Sequence, residues 1–185
     1  MRNTLMRVIG SLLGIALLFA APATAYAQGD RYALIVQGAS GEEQYATLHR
    51  QWVDSLTKIL VEQFNGYSPI PGMNTNGELT LGENIGDLGG LSIAYRAYKI
   101  SLGGKPGPVI DGLTGDQRYY YAWAAAWRAK FRDDALRQQV LANPHAPDMY
   151  RANGPQRNIP EFYQTFAVKE GDKMFLPPSE RTKIW

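Results

Sequence analysis

Two carboxylates set four residues apart, Glu83 and Asp87, dominate the stretch Gly77–Ala97, GELTLGENIGDLGGLSIAYRA. Wound as an α-helix, residues at this spacing lie one above the other, so both acids share a face. With Glu83 as origin, Gly86 falls at about −60°, Asp87 at about +40° and Gly90 at about −20°. Ala94 and Ala97 continue the face at about +20° and −40°. Each glycine in a helix interior costs about 0.5–1 kcal/mol relative to alanine. Gly86, Gly89 and Gly90 therefore point to a neighbour that must come close to the backbone. Two acids on such a face are costly to bury unless a cation or paired donors meet them. The chemistry implied is metal binding or capture of a cationic partner. A plainer reading makes Glu83 and Asp87 solvated first-turn acids favoured by the helix dipole.

The elements around this stretch decide between the readings. Val61–Leu81 carries Asn65, Gly66, Pro69, Pro71, Gly72, Asn74, Asn76 and Gly77, the composition of a loop. Thr80 is a reasonable N-cap for the helix that follows, which puts Glu83 third in it, as in a capping box. Upstream, Tyr32–Val36 has strand character and Gly38–Gly41 is a turn. From Glu42 to Leu60, Tyr45, Leu48, Trp52, Leu56, Ile59 and Leu60 form an apolar helical stripe. A glycine-containing turn between strand and helix invites a phosphate-binding reading, but the GxGxxG spacing and a Walker lysine are both absent. Downstream, Ser101–Gly115 reads as a loop. A long helix is predicted from Asp116 or Gln117 to about Leu141, with Tyr120, Trp123, Trp127 and Phe131 at core spacing. Asn143–Arg151 reads as a Pro-broken loop that carries His145, one of two histidines.

The chain has 185 residues, enough for one domain or two small ones. Arg2 and Arg7 precede an apolar run from Val8 to Ala21, closed by Pro22 and small residues up to Ala27. This is the layout of a secretory signal peptide with cleavage after Ala27, so export to a periplasm or the extracellular space is expected, with no stable membrane anchor afterwards. Beyond Ala27 the basic residues number 17 against 17 acidic ones, which leaves no charge argument for nucleic acid. There is no cysteine, so no disulfide supports the exported chain. Packing must stabilise it, with eleven Tyr, six Phe and four Trp available.

The segment VEQFNGYSPIPGMNTNGELTLGENIGDLGGLSIAYRAYK resembles the neprilysin family of zinc metallopeptidases, in the part of the catalytic domain that follows the HExxH helix. The resemblance implies that Glu83, in Glu-Asn-Ile-Gly-Asp, is the third zinc ligand and that Asp87 orients a zinc-bound histidine. It further implies that His145 stabilises the oxyanion of the tetrahedral intermediate and that Arg151, six residues on, contacts the substrate carbonyl. A protonated imidazole and a guanidinium are donors suited to developing negative charge. The ending from Asn153 to Trp185 also follows the family, so the resemblance covers about 61–185.

No HExxH motif is present. The histidine upstream of Glu83 is His49, in Leu48-His49-Arg50-Gln51-Trp52-Val53, which offers neither the general base nor a second ligand. Three protein ligands are the working minimum for catalytic zinc, so the zinc site expected here is incomplete and activity of the chain alone is expected to be slight. The fold expected is mainly α (α+β overall). It would be an incomplete thermolysin-like catalytic subdomain with a short N-terminal strand–helix unit and short strands near Phe166–Leu176. Residues 1–27 are the signal peptide, 28–60 a strand–helix segment of unclear origin and 61–185 the peptidase part. The whole is a truncated or fused copy. Its partners would be a peptide substrate or ligand and a complementing chain that carries HExxH. The alternative is a non-catalytic periplasmic peptide- or protein-binding module.

Overall fold

A computed structural model describes residues 43–184. The predicted signal peptide, the strand at Tyr32–Val36 and the turn that follows lie outside these residues. Six α-helices run in order: α1 (Glu43–Asn65), α2 (Gly77–Ser101), α3 (Gly115–Ala126), α4 (Asp133–Ala142), α5 (Asp148–Asn153) and α6 (Pro160–Phe166). Short 3-10 turns occupy Gln156–Asn158 and Pro178–Glu180. Among the described residues there is no strand, only two isolated bridges, Ile70–Met73 and Ile110–Leu113. The strands expected near Phe166–Leu176 are absent. Ala167 instead closes α6 in the left-handed conformation, and the Tyr163 hydroxyl, donating to the Arg157 carbonyl at 2.9 Å and accepting from the Leu176 amide at 2.8 Å, holds the segment as a loop. Backbone groups bonded to a side chain in this way leave no ladder to form.

Helices α1 and α2 form a hairpin, and their facing stripes make the centre of the core. Leu56 and Leu60 of α1 pack with Leu81, Leu88, Leu91 and Tyr95 of α2, joined by Tyr120, Ile159, Phe162 and Ile184. Burying one such side chain is worth about 1.5–3 kcal/mol. Helix α1 runs to Asn65, past the predicted end at Leu60, because Phe64 continues the stripe one turn on and is fully buried. Helix α2 starts earlier than expected. Asn76, not Thr80, is the N-cap, its side chain accepting from the Leu79 amide at 2.9 Å. Thr80 is buried inside the first turn, where its hydroxyl donates to the Asn76 carbonyl and accepts from Asn84. Glu83 and Asp87 are thus residues seven and eleven of α2, beyond the reach of capping.

The hairpin closes at Gly77. A Cβ there would collide with the Val61 carbonyl, and the Gly77 amide donates to Asn65 Oδ1 at 2.7 Å. Only glycine lets the start of α2 lie against the backbone of α1.

Helix α3 has the capping box Thr114–Gln117 at its start and ends at Ala126 rather than near Leu141. Residues 127–132 are non-helical, and α4 restarts with Asp133 and Asp134 in its first turn, where the dipole favours acids. The four aromatics predicted as one core stripe therefore separate. Tyr120 is fully buried, Trp123 and Trp127 are half-buried, and Phe131 is exposed on the connecting loop.

A buried amide network ties the end of the chain to α1. Asn158 Nδ2 donates to Gln63 Oε1 at 2.9 Å, Gln63 Nε2 donates to the Gly154 carbonyl at 2.9 Å, and the Thr182 amide donates to Asn158 Oδ1 at 3.0 Å. Further out, the Trp52 indole donates to the Lys183 carbonyl. These bonds fix the 154–158 segment, and with it α5, beside α2.

Candidate functional site

The four residues singled out in the sequence meet in one place. Helix α2 supplies Glu83 and Asp87, the turn after α4 supplies His145, and α5 supplies Arg151. Arg151 lies on a short helix rather than in the predicted loop. Its Nε donates to Asp87 Oδ2 and its Nη2 to Asp87 Oδ1, both at 2.7 Å. The same Nη2 stands 3.5 Å from Glu83 Oε2, and His145 Nε2 lies 2.9 Å from that oxygen. The Arg151 and Asp87 side chains are 13 % and 9 % exposed, against 41 % for both Glu83 and His145. The site thus has a buried ion pair at its base and an acid–imidazole pair at its mouth.

Local structure explains each placement. Asn143 Oδ1 accepts from the His145 amide at 2.9 Å and stands 2.9 Å from His145 Nδ1, so one side chain orients both the turn and the ring. Arg151 is flanked by Tyr150, stacked on Tyr67 with ring centres 4.4 Å apart. Burial acts against the Arg151 charge, but the Asp87 hydrogen bonds and the charges of Asp87, Glu83 and Asp148 outweigh it and hold its pKa above the ordinary arginine value.

Beside this quartet the face of α2 is bare. Nothing comes within 4 Å of a Cβ built at Gly82, Gly86 or Gly90, and Ile93, Ala94 and Ala97 are exposed on the same helix. Gly89 is buried, whereas no close neighbour of Gly86 or Gly90 is among the described residues. A cationic partner is: the Arg151 guanidinium, remote in sequence but adjacent in space, with the His145 ring beside it. The reading of Glu83 and Asp87 as solvated first-turn acids does not hold.

One residue at the site carried no signal in the sequence. Trp127, read as core, lays its ring over the Arg151 guanidinium, with Cζ 4.0 Å from the ring centre. Its helical spacing from Tyr120 and Trp123 suits burial equally well, and no local pattern distinguishes the two outcomes.

Zinc, which the family resemblance implies, does not fit these residues alone. One Glu83 oxygen, Oε2, is already met by an imidazole and a guanidinium. Among the described residues no group of three His, Cys, Asp or Glu stands together to hold an ion.

The helical fold that carries this site is similar to part of solved zinc metalloprotease structures. The Mycobacterium tuberculosis zinc metalloprotease ZMP1 in complex with an inhibitor superposes with a TM-score of 0.71 and 48% identity, over 74% of this chain and 22% of that one. PepO from Lactobacillus rhamnosis superposes with a TM-score of 0.61 at 30% identity, over 75% of this chain and 20% of that one. The model for peptidase family M13 matches residues 37–182, and the chain belongs to that family. Among curated relatives, the neutral endopeptidase of Lactococcus lactis subsp. lactis is 33% identical over 151 residues, covering 77% of this chain and 22% of that protein. Neprilysin-3 of Drosophila melanogaster is 29% identical over 154 residues, covering 77% and 19%. The chain thus spans about a fifth of the length of these relatives. The family match begins at residue 37, ahead of Val61, and so takes in α1. The hairpin packing of α1 on α2 is the structural counterpart of that extension.

Proposed function

We propose that the chain carries the substrate-backbone side of an M13 peptidase cleft, with Arg151 and His145 as donors to peptide carbonyl oxygens. Glu83 would be the single carboxylate this chain contributes to a metal, and Asp87 the anchor of Arg151. The observation that supports this reading is the convergence of all four side chains, from two distant parts of the chain, beside a bare helix face. Peptide-bond hydrolysis would need an HExxH helix from outside this sequence, and the Gly82–Gly86–Gly90 face has open space beside it. The leader-like residues 1–27 support work outside the cytoplasm. Purified chain titrated with zinc and then with peptide tests the proposal. Weak zinc uptake, with peptide binding lost in Arg151→Ala, is expected. Tight one-to-one zinc binding with proteolysis by the chain alone would overturn it.

The exposed small-residue face also favours a second reading, a non-catalytic periplasmic binding module that uses α2 as its contact surface. Co-purification of a specific partner, unaffected by Glu83→Ala or His145→Ala, would select that reading. Recovery of an exported chain beginning at Gln28 tests the location in either case.

A further inference from the structure

We propose that Trp127 is a positioning residue for Arg151, setting the plane of the guanidinium so that its free edge faces a peptide oxygen. This rests on the reading of Arg151 as a carbonyl donor. Three constraints act on Arg151 at once. Nε and Nη2 are committed to Asp87, which fixes the edge of the fork but leaves the joined carboxylate–guanidinium plane free to tilt as a unit. The indole of Trp127, 4.0 Å from Cζ, closes one face of that plane and removes the tilt. One turn earlier in α3, Trp123 Nε1 donates to the Arg151 and Ala152 carbonyls, both at 3.2 Å, and so holds the backbone from which the side chain grows. The two indoles meet edge to face at 5.5 Å and 66°, joining the side-chain and backbone clamps. Nε–H and one Nη2–H are spent on Asp87, and Glu83 Oε2 stands 3.5 Å from Nη2, which leaves the two N–H groups of Nη1 without a partner among the described residues. Their direction is therefore dictated by Asp87 and Trp127 together.

The end of α3 supports this assignment. The helix stops with Trp127 as its C-cap, and the indole N–H is buried without an acceptor. A buried orphan donor is unfavourable, so the ring is held there for its flat surface rather than for its polar atom. A flat face lets a planar guanidinium stack, which a tetrahedral ammonium cannot do.

Exchange of the Arg151 Nε–H, read from its nitrogen–proton NMR signal and assigned by its disappearance in Arg151→Lys, tests the proposal without requiring catalysis. In Trp127→Leu, which keeps apolar volume but no ring face, exchange should be about fivefold faster, the loss of one cation–π contact. Trp127→Phe should restore the slow rate, since it keeps the face and drops the orphan donor. A Trp127→Leu variant whose Nε–H exchanges at the wild-type rate would overturn the proposal, as would failure of Phe to rescue. Binding of an unlabelled peptide should weaken and recover in the same order across the two variants. A wild-type chain that binds no peptide sinks the proposed function, while the exchange rates still decide the part played by Trp127.

Discussion

Arg151 grips Asp87 through two parallel hydrogen bonds of 2.7 Å across 64 positions of sequence, and this pair is the pivot of the site. It joins α2 to α5, carries Glu83 and His145 above it, and leaves one edge of the guanidinium for a ligand. Both partners are nearly buried, so the fork geometry matters more than the charge alone. Asp87→Asn should therefore destabilise the chain by about 2–3 kcal/mol, since it leaves a guanidinium with one neutral acceptor in a largely dry place. Arg151→Lys should cost a similar amount although it keeps the charge. Urea unfolding followed by tryptophan fluorescence measures both.

The glycines of α2 make a second test because two kinds occur on one helix. Gly86 and Gly90 have open space where a side chain would go. Replacing each by alanine should stabilise the isolated chain by about 0.5–1 kcal/mol, the helix-propensity gain. Gly77→Ala should instead destabilise by about 1–3 kcal/mol, because its Cβ would meet the Val61 backbone. Thermal melts of the three variants separate the cases. A helix that docks on α2 should bind less well to the Gly86→Ala, Gly90→Ala form.

Alkaline stability follows from the tyrosine cluster. Burial pushes Tyr119 up to about 12 from 10.0, and burial, with nearby acids, raises Tyr95 and Tyr120 further still. The native state keeps these protons where the unfolded chain releases them, so this stability is fully present below pH 10 and is lost as pH rises through the native values. The slope is up to about 1.4 kcal/mol per pH unit for each tyrosine. Burial raises Tyr150 as well, so unfolding free energies at pH 9 and 11 should differ accordingly and Tyr119→Phe should remove about a quarter to a third of the difference. The variant also loses the 2.6 Å bond to the Leu91 carbonyl, which lowers stability at every pH without changing the slope.

The amide network under α1 gives a fourth prediction. Asn158 is buried and serves the Gln63 side chain, the Gly154 carbonyl and the Thr182 amide at once. Asn158→Ala orphans Gln63 Oε1 and the Thr182 amide, while the Gly154 carbonyl keeps its bond from Gln63 Nε2, and should cost about 1–3 kcal/mol. Because the network anchors the last residues, amide exchange near Thr182 should accelerate before the core does.

The helix that carries the acids was legible because helical period and the content of a face are local properties. The spacing of Glu83 and Asp87, the bare Gly and Ala positions, and the loops before and after α2 could all be read within a few turns. The α3–α4 break was missed for a related reason. Trp123, Trp127 and Phe131 keep helical spacing through residues that are not helical, and only the adjacent acids Asp133 and Asp134 hinted at a new start. The N-cap was misplaced because Asn76 and Thr80 are both good capping residues, and the choice fell to how Gly77 packs on Val61.

The sequence alone determined that two carboxylates lie four residues apart on one helix beside glycine and alanine positions, and raised the expectation of a cation and a close neighbour there. It also placed His145 and Arg151 on the segment that the family motif assigns to them. Only the tertiary structure decided that the Arg151 guanidinium and the His145 ring are the partners of Glu83 and Asp87, that Trp127 lies over Arg151, and that the Gly82, Gly86 and Gly90 face stays open. Those outcomes depend on the path of the chain between α2 and α5, set by buried contacts such as Phe64, Tyr120 and Asn158 far from the site. Short-range hydrogen bonding and periodicity carry no information about that path.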